Sequence, residues 1–528
     1  MAALSRSLWV SALLAGLSIA STASAASPAD LDARVETVIR EQGVPGMAVA
    51  IVEQGKTVLA KGYGVRRLGS PERVDADTIF PTGSTGKAVT SAALAILVDE
   101  KKIGWDDKVT DHLSGFQMYD PWVTREITIR DLLVHRSGLG LGAGDLLFVP
   151  RSSLGRAETV RRLRYIKPAT SFRSGYAYDN VLYMVAGQLI EAVSGQTWEA
   201  FVRDRIFKPA GMTVSTTDDK DQFATVNRAH PHARLDGGMR GVGRQEVLDE
   251  HAILGRNGAP AGGIASSAND MGRWLAIQLA HGELPGGGKR LFSAAASREM
   301  WTPQIPVPIT PLPAPVAAAT PQFSSYALGW EVEDYRGVKI ISHGGAVFGF
   351  QTMVVLVPDR QLGFSLQINS EDGVVLKGLM YELLDHYLGA PARDWVGDFS
   401  TFREQRVAQA RTVLARSAPR KRSRPALALT GYAGRYIDPW YGPMEVDLRD
   451  GRLRIDFKQT PNMVGDLEHW QYDTFVTRWD DATIEPAYVT FALDAQGDVD
   501  RVTLKAASPL ADFSYDYQDL LFTPVREK

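Results

Sequence analysis

The chain has 528 residues, of which 45% are hydrophobic and 23% charged, and this length and composition predict a globular protein of two or three domains. The net charge of −3 and the lack of a lysine-rich amphipathic stretch argue against nucleic-acid binding and against a helix that lies on a membrane surface. The chain has no cysteine, which excludes disulfides, thiolate catalysis, thiolate metal sites and a lipid-modified cysteine anchor.

The first 25 residues have the pattern of an export signal. Arg6 supplies a positive charge, residues 8–20 form a short apolar run, and small residues around Ala25 match a cleavage site. The alternative, a membrane anchor, needs a longer apolar run. We therefore expect cleavage after Ala25, a periplasmic or secreted protein, and no stable membrane anchor.

The next segments predict a helix, a pair of strands and a second helix. Helical spacing covers residues 30–42, and residues 46–58 indicate two strands around a turn. Residues 88–98 are rich in alanine and apolar on nearly every side, so we expect a buried helix there. This helix directly follows Ser84 and Lys87, in the sequence FPTGSTGK.

Ser84 and Lys87 have the spacing of a serine nucleophile and its base. Residues three apart lie side by side on a helix, so Lys87 can reach Ser84 without help from the rest of the fold. A serine is a poor nucleophile until a neighbouring group takes its proton. Because the pattern is short, a surface serine near a surface lysine explains this motif alone equally well.

A second short pattern, Tyr-x-Asn, lies where a loop leads into a helix predicted over 180–193. Tyr178 offers a phenol that can act as a base if its pKa falls near a lysine ammonium. Asn180 can hold a substrate amide through both its donor and its acceptor.

A third pattern follows a stretch of predicted strands. Residues 303–321, rich in proline and alanine, indicate an irregular loop. His343 and two glycines come directly after a strand, and the glycines allow a substrate backbone to approach the strand edge. Strands at both ends of this part, with helices between, favour one antiparallel sheet. The predicted elements after the loop are strands over 327–332, 338–342, 353–357 and 363–369 and a closing helix over 376–388.

The composition changes after about residue 395. Helical spacing over 402–415 leads to four basic residues between prolines, which indicate a solvated linker rather than a nucleic-acid site. Short alternating strands over 429–524 predict a small all-β domain, a sandwich or a barrel. We thus divide the chain into a signal peptide over 1–25, a first domain over 26–395, a linker over 396–427 and a second domain over 428–528.

In their order, the three patterns resemble the motifs of the penicillin-recognising serine hydrolases. That family includes class C β-lactamases, D-aminopeptidases, DD-carboxypeptidases and related esterases. The segments LLVHRSGL at 132–139 and PAGGIASS at 260–267 resemble two further segments of the family. The resemblance runs from about residue 30 to 388. It implies an α+β, β-lactamase/transpeptidase-like domain, with helices packed on an antiparallel sheet, and no metal or organic cofactor.

The resemblance also implies roles for the motif residues. Ser84 would be the nucleophile that becomes acylated, and Lys87 and Tyr178 would share the proton transfers. The remaining roles are an oxyanion hole formed by the backbone N–H groups of Ser84 and Ala346, and substrate contacts from Asn180, His343, Gly344 and Gly345.

One position departs from the β-lactamase pattern. His343 stands where β-lactamases usually carry lysine, and a histidine is mostly neutral at pH 7. Substrates with a carboxylate are therefore less favoured, and the site looks more like that of D-aminopeptidases and esterases. Residues 511–520 resemble the end of a lipocalin-like module appended to some of these hydrolases, where the barrel shapes access to the site or supports oligomers.

We therefore expect an exported serine hydrolase that acts on small amides or peptides with a D-residue, or on esters. Its partner would be a small-molecule or peptide substrate, and a homo-oligomer is possible. One alternative is a DD-carboxypeptidase or weak β-lactamase. Another is a non-catalytic protein that binds peptidoglycan fragments.

Several other candidates have structural explanations. A second Ser-x-Asn pattern begins at Ser267, which with Asp270 indicates a capping box at a helix start. His135 is expected to be a hydrogen-bonded residue in a turn. His230 and His232 have no acidic partner at ligand spacing, which favours a loop over a metal site.

Overall fold

The computed structural model describes residues 27–235, 239–252, 254–420 and 422–526. The export signal predicted over 1–25 lies outside the described residues. None of the described helices is long and apolar enough to cross a membrane.

An eight-stranded antiparallel sheet forms the centre of the first domain, in the order β2-β1-β8-β7-β6-β5-β4-β3. The first two strands lie beside the last because β1 pairs with β8, from Met47 opposite Ile368 to Glu53 opposite Leu362. The prediction of one sheet built from both ends of the domain is therefore confirmed. The strands are β1 Gly46–Glu53, β2 Lys56–Gly64, β3 Ile305–Pro306, β4 Ser324–Tyr326, β5 Glu331–Tyr335, β6 Val338–Val347, β7 Phe350–Val357 and β8 Leu362–Ile368.

Helices cover the sheet and build a helical region around the first motif. Of these, α2 is buried along nearly its whole length, as its alanine-rich sequence predicts. The longer helices are α1 Leu31–Glu41, α2 Lys87–Asp99, α3 Val181–Ser194, α4 Ala268–Leu279, α5 Gly373–Leu388 and α6 Trp395–Arg416. Shorter ones are Val109–His112, Pro121–Glu126, Arg156–Arg162, Trp198–Val202, Lys208–Ala210, Asp219–Ala224, Ala259–Gly262 and Ala294–Met300.

Of the strand predicted over 327–332, residues 327–330 instead form a turn between two strands, and only residues 331–332 are extended, as the start of β5. β4 ends at Tyr326 and β5 begins at Glu331. Gly329 has a φ of +78°, and a Cβ on it would lie 2.7 Å from Ser91 Oγ and 2.9 Å from the Lys87 carbonyl oxygen. The chain must therefore turn here to pass closely over α2. The loop predicted over 303–321 also contains β3 and a 3₁₀ turn over Ala314–Ala319.

The segment predicted as a linker begins with a long helix. α6 starts at Trp395, seven residues before the predicted helix, and is capped by Asp394, which accepts a hydrogen bond from Gly397 N at 3.1 Å. Trp395 is fully buried, and its indole N–H donates to Asp385 at 2.7 Å. The first part of the segment 396–427 is thus packed on the first domain.

The second domain is a closed barrel of eight antiparallel strands, which confirms the predicted all-β domain. Inward-facing apolar residues alternate with outward polar ones along its strands, for example over Arg452–Phe457. The strands are β9 Gly434–Asp438, β10 Gly442–Arg449, β11 Arg452–Phe457, β12 Val464–Gln471, β13 Thr474–Trp479, β14 Ala487–Leu493, β15 Val499–Ala506 and β16 Leu521–Pro524.

Candidate active site

Ser84 lies in a tight 3₁₀ turn, Gly83–Gly86, directly before α2. Gly83 has a φ of +53°, and a Cβ on it would lie 2.7 Å from Ala346 N. A glycine is therefore needed here because β6 passes very close to the turn. Lys87 begins α2, and its Nζ lies 2.9 Å from Ser84 Oγ. The structure thus brings together the two groups that sequence spacing pairs.

Lys87 is fully buried, and this burial controls its charge. Its Nζ also lies 2.6 Å from Asn180 Oδ1 and 3.1 Å from the Ala261 carbonyl oxygen, to both of which it donates. Burial lowers the pKa of Lys87 to about 7, although Asp145 and Asp179 act in the opposite direction. A neutral Lys87 can donate to these two oxygens and still accept the Ser84 proton.

Tyr178 lies beside this pair, but its phenol is protonated at neutral pH, whereas a base would have to be deprotonated. Lys87 Nζ is 4.8 Å from the centroid of the Tyr178 ring. Burial raises the pKa of Tyr178 well above its usual value, and a hydrogen bond with Ser84 only partly opposes this. At neutral pH, Lys87 is therefore the group ready to accept a proton, and Tyr178 is a protonated phenol ready to donate one.

His135 supports the Tyr178 ring. It adopts a positive φ of 58° in a turn, is fully buried, and accepts a hydrogen bond from Asp179 N at 3.1 Å through Nδ1. Its ring centroid lies 4.1 Å from that of Tyr178. These contacts agree with the structural interpretation of His135.

Sequence reasoning missed Asp145 and its partners. Asn180 Nδ2 donates to Asp145 Oδ2 at 2.8 Å, and Ser514 Oγ donates to the same oxygen at 2.9 Å. Burial raises the pKa of Asp145 to about 8. A hydrogen-bonded chain thus connects Lys87 through Asn180 and Asp145 to Ser514, which belongs to the barrel domain. A lone aspartate gives no sequence signal for such a contact.

An aspartate of the barrel domain, Asp516, holds the backbone around Asp145. Asp516 accepts hydrogen bonds from Gly144 N at 2.7 Å and from Leu146 N at 3.1 Å. Phe513 packs edge-on against Tyr178, with ring centroids 5.9 Å apart. The segment between β15 and β16 is therefore part of the wall around the site.

His343 is buried next to the catalytic candidates. Its Nε2 lies 2.7 Å from the hydroxyl of Tyr326, and its Nδ1 lies 2.5 Å from the Gly344 carbonyl oxygen. These partners suit a neutral ring that donates through Nδ1 and accepts through Nε2. Burial lowers the pKa of His343 to about 3, so the site has no cation at this position at neutral pH.

The two glycines after His343 have different surroundings. A Cβ on Gly345 would lie 2.0 Å from the Thr82 carbonyl oxygen, whereas one on Gly344 would have 3.7 Å to its nearest neighbour. Gly345 is thus needed for the close approach of β6 to the Ser84 segment, not for room on the substrate side. Ala346, the next residue, is exposed.

β6 presents an unpaired edge beside Ser84. Its pairing with β5 stops at Ser342, while its pairing with β7 continues to Val347. Along residues 343–347, no described strand covers the other edge. Such an edge can pair with the backbone of an extended peptide.

A cavity of about 230 Å³ opens over Ser84. Among the predicted site residues, Ser84, Asn180 and Ala346 line it, whereas Lys87, Tyr178, His343, Gly344 and Gly345 do not. The rest of the lining mixes residues of both domains. It includes Phe148, Leu254, Phe348 and Gln351 from the first domain and Leu510, Asp512 and Ser514 from the barrel domain.

Ser267 and His232, which the sequence offers as alternative site residues, have structural roles. Ser267 caps α4 by accepting a hydrogen bond from Asp270 N at 3.3 Å. The Asp270 carboxylate accepts hydrogen bonds from Val214 N and Ser215 N, so it binds a neighbouring loop. His232 is fully buried, with Leu68 N on one ring nitrogen and the Asn369 carbonyl oxygen on the other.

Two protein-family models match the chain. One, described as Beta-lactamase, matches residues 31–419. The other, described as Domain of unknown function (DUF3471), matches residues 418–524.

Curated proteins and solved structures match over long stretches. Unguisins hydrolase ungD of Aspergillus violaceofuscus is 29% identical over 84% of this chain and 82% of its own. Penicillin-binding protein 4 of Amycolatopsis lactamdurans is 28% identical over 67% of this chain and 88% of its own. An octameric penicillin-binding protein homologue from Pyrococcus abyssi has a TM-score of 0.57 at 20% identity, covering 93% and 99% of the two chains. D-amino acid amidase from Ochrobactrum anthropi SV3 has a TM-score of 0.54 at 20% identity, covering 68% and 98%.

Proposed function

Since the chain belongs to the beta-lactamase family of serine hydrolases, we propose that it is an exported enzyme that forms an acyl-enzyme at Ser84. Its substrates would be small amides or peptides, in particular those with a D-residue, or esters. The observation that carries this proposal is the contact of 2.9 Å between Ser84 Oγ and Lys87 Nζ, whose burial lowers its pKa to about 7.

In the acylation step, neutral Lys87 takes the proton of Ser84 while Ser84 Oγ attacks the substrate carbonyl carbon. The backbone N–H groups of Ser84 and Ala346 would stabilise the resulting oxyanion, and one such donor contributes about 10²–10³ in rate. The phenol of Tyr178 then gives a proton to the leaving amine or alcohol and recovers one from Lys87. Water completes the cycle by hydrolysing the ester on Ser84.

The substrate class follows from β6 and His343. The unpaired edge over 343–347 suits an extended peptide or amide backbone. Since His343 is neutral, this strand offers no cation for a substrate carboxylate. That favours amides, peptides and esters over β-lactams. The fungal relative is named a hydrolase of unguisins, and hydrolysis by this chain is proposed in agreement with that name.

The direct test is hydrolysis of D- and L-alanine p-nitroanilide side by side, with Ser84→Ala as the blank and p-nitrophenyl acetate as an ester probe. We expect faster turnover of the D-substrate, loss of turnover in Ser84→Ala, and an acyl adduct on Ser84 by mass spectrometry. Activity that persists in Ser84→Ala would refute the proposal. Turnover of the ester alone would restrict the enzyme to esters.

Two further measurements separate the alternatives. Acylation by a chromogenic cephalosporin, with a rate that rises at acidic pH, would favour a DD-carboxypeptidase or weak β-lactamase. Binding of peptidoglycan fragments with equal affinity by the parent and Ser84→Ala, without turnover, would favour a binding protein. A homo-oligomer is also proposed, because the archaeal structural neighbour is described as octameric, and light scattering would test it.

A further inference from the structure

A second cavity continues from the cavity over Ser84. It has a volume of about 430 Å³ and reaches the helices α5 and α6. The two cavities share Arg240, Gly241, Gln351, Glu371, Leu510 and Asp512 in their linings. They therefore form one cleft, which leads from the nucleophile to the surface of the two helices.

The second cavity suits a part of the substrate remote from the cleaved bond. Small-molecule sites usually measure about 300–1,000 Å³, so the 230 Å³ over Ser84 is small for a whole ligand. The second cavity falls within that range by itself. A substrate longer than one or two residues would therefore extend into it.

Positive charge exceeds negative charge in its lining, although the whole chain has a net charge of −3. Asp372 pairs with both Arg234 at 3.1 Å and Arg403 at 2.7 Å, and Glu371 pairs with Arg240 at 2.5 Å. The carboxylates of Asp372 and Glu371 are therefore already paired with arginine side chains. The charged lining residues are Arg234, Arg240, Lys377, Arg403 and Arg406 against Glu371, Asp372 and Asp512.

Lys377 and Arg406 have no salt bridge or hydrogen bond among the described residues. Both side chains are exposed, one on α5 and the other on α6. The charge of Lys377 acts through space on Glu331 and Glu333, but burial raises the pKa of both carboxyls, that of Glu331 to about 7, and so limits their negative charge. The two cations are therefore available to a ligand. Lysine and arginine form their strongest hydrogen bonds with carboxylates and phosphates.

We propose that this second cavity is a subsite for an anionic group of an extended substrate, in which Lys377 and Arg406 bind a carboxylate remote from the bond cleaved at Ser84. The ligand class is an acidic peptide. This inference rests on the proposed function, because it assumes that the peptide is acylated at Ser84.

The test uses peptides that contain one D-alanyl amide and differ only in a remote glutamate or glutamine. One pair carries this residue on the acyl side and a second pair on the leaving-group side, so that either direction along the cleft is sampled. The proteins are the parent, the double variant Lys377→Ala/Arg406→Ala, and Arg416→Ala, which removes an exposed arginine at the end of α6 outside the cavity.

For one of the two sets of peptides, we expect the KM of the parent at low salt to be about 5–20-fold lower for the glutamate peptide than for the glutamine peptide, because two exposed ion pairs form. Added salt should reduce this preference. The double variant should lose it while keeping its rates on the glutamine peptide and on D-alanine p-nitroanilide, and Arg416→Ala should retain it. Equal turnover of the glutamate and glutamine peptides in both sets, or a preference for glutamate that persists in the double variant, overturns the proposal of a subsite.

A binding measurement, which needs no turnover, tests the subsite independently of the proposed function. Affinities of both peptides are measured calorimetrically on Ser84→Ala, with and without the two cation substitutions. A glutamate preference that depends on Lys377 and Arg406 supports the subsite even if the parent shows no turnover. Equal or absent binding of the two peptides overturns it, whatever the activity on small amides.

Discussion

Replacing Asp145 with asparagine should move the rise of activity with pH to a lower pH. Lys87 must be neutral to accept the Ser84 proton, so kcat/KM should rise as pH increases through its pKa of about 7. The Asp145 carboxylate raises that pKa because negative charge stabilises the ammonium form. Asparagine keeps the shape of the side chain and an oxygen for Asn180 and Ser514 but removes the charge. The pKa of Lys87 should therefore fall.

The size of the shift follows from the hydrogen-bonded chain. Lys87 Nζ lies 2.6 Å from Asn180 Oδ1, and Asn180 Nδ2 lies 2.8 Å from Asp145 Oδ2. The two charges are thus within roughly 8 Å, which at an effective dielectric of about 20 corresponds to ~2 kcal/mol or ~1.5 pKa units. Since burial raises the pKa of Asp145 to about 8, this carboxyl is only partly ionised near neutrality. We expect a shift between about 0.5 and 1.5 pH units.

The assay is a pH profile of kcat/KM from pH 5 to 9 on the best p-nitroanilide or ester substrate. Ser514→Ala should move the profile the same way by less, because Asp145 loses a donor that favours its ionised form. Asp447→Asn, on an exposed part of the barrel, is the control and should leave the profile in place. A profile that stays put or moves to higher pH in Asp145→Asn, in a protein still acylated at Ser84, would refute the reasoning.

Three further predictions test the surrounding structure. Gly345→Ala should lower kcat/KM by about 10²-fold or more, because its Cβ would lie 2.0 Å from the Thr82 carbonyl oxygen and would displace Ala346 N, a proposed oxyanion-hole donor. Gly344→Ala should change kcat/KM only a few-fold, and steady-state kinetics compares the two variants. His343→Gln should leave the rise of activity near pH 7 unmoved, because the pKa of His343 is about 3, and a pH profile that loses this rise would contradict it. Leu97→Ala, at a fully buried position of α2, should destabilise the first domain by about 2–5 kcal/mol, measured by comparing urea unfolding of Ser84→Ala with that of Ser84→Ala/Leu97→Ala.

The sequence was most informative where the relevant contacts are local. Ser84 and Lys87 are three residues apart, so helix geometry alone predicts their contact. The alternation of strands at both ends of the first domain predicts its sheet. The prediction of a strand over 327–332 was wrong because its apolar residues fit a strand pattern. The turn at Gly329 depends instead on contact with α2, which is distant in the sequence.

The contacts that set the charge of the site are the ones that sequence could not supply. Asp145 and Ser514 are 369 positions apart, and the charge near Lys87 depends on their hydrogen bond. Neither residue belongs to a motif, because a single buried acid or serine is common in any chain. The tertiary structure brings them together by placing the segment between β15 and β16 against residues 142–146, where Asp516 holds two backbone N–H groups.

This placement gives the barrel a part in the chemistry as well as in access. Ser514 donates to the carboxyl that adjusts the pKa of Lys87, and Asp512 lines both cavities of the cleft. Under the proposed function, the motif residues of the first domain would carry out the acyl-enzyme mechanism but would not by themselves set the pH at which it operates. That pH would depend on how far Asp145 is ionised, and the barrel domain supplies one of the two side-chain hydrogen bonds that favour its ionised form.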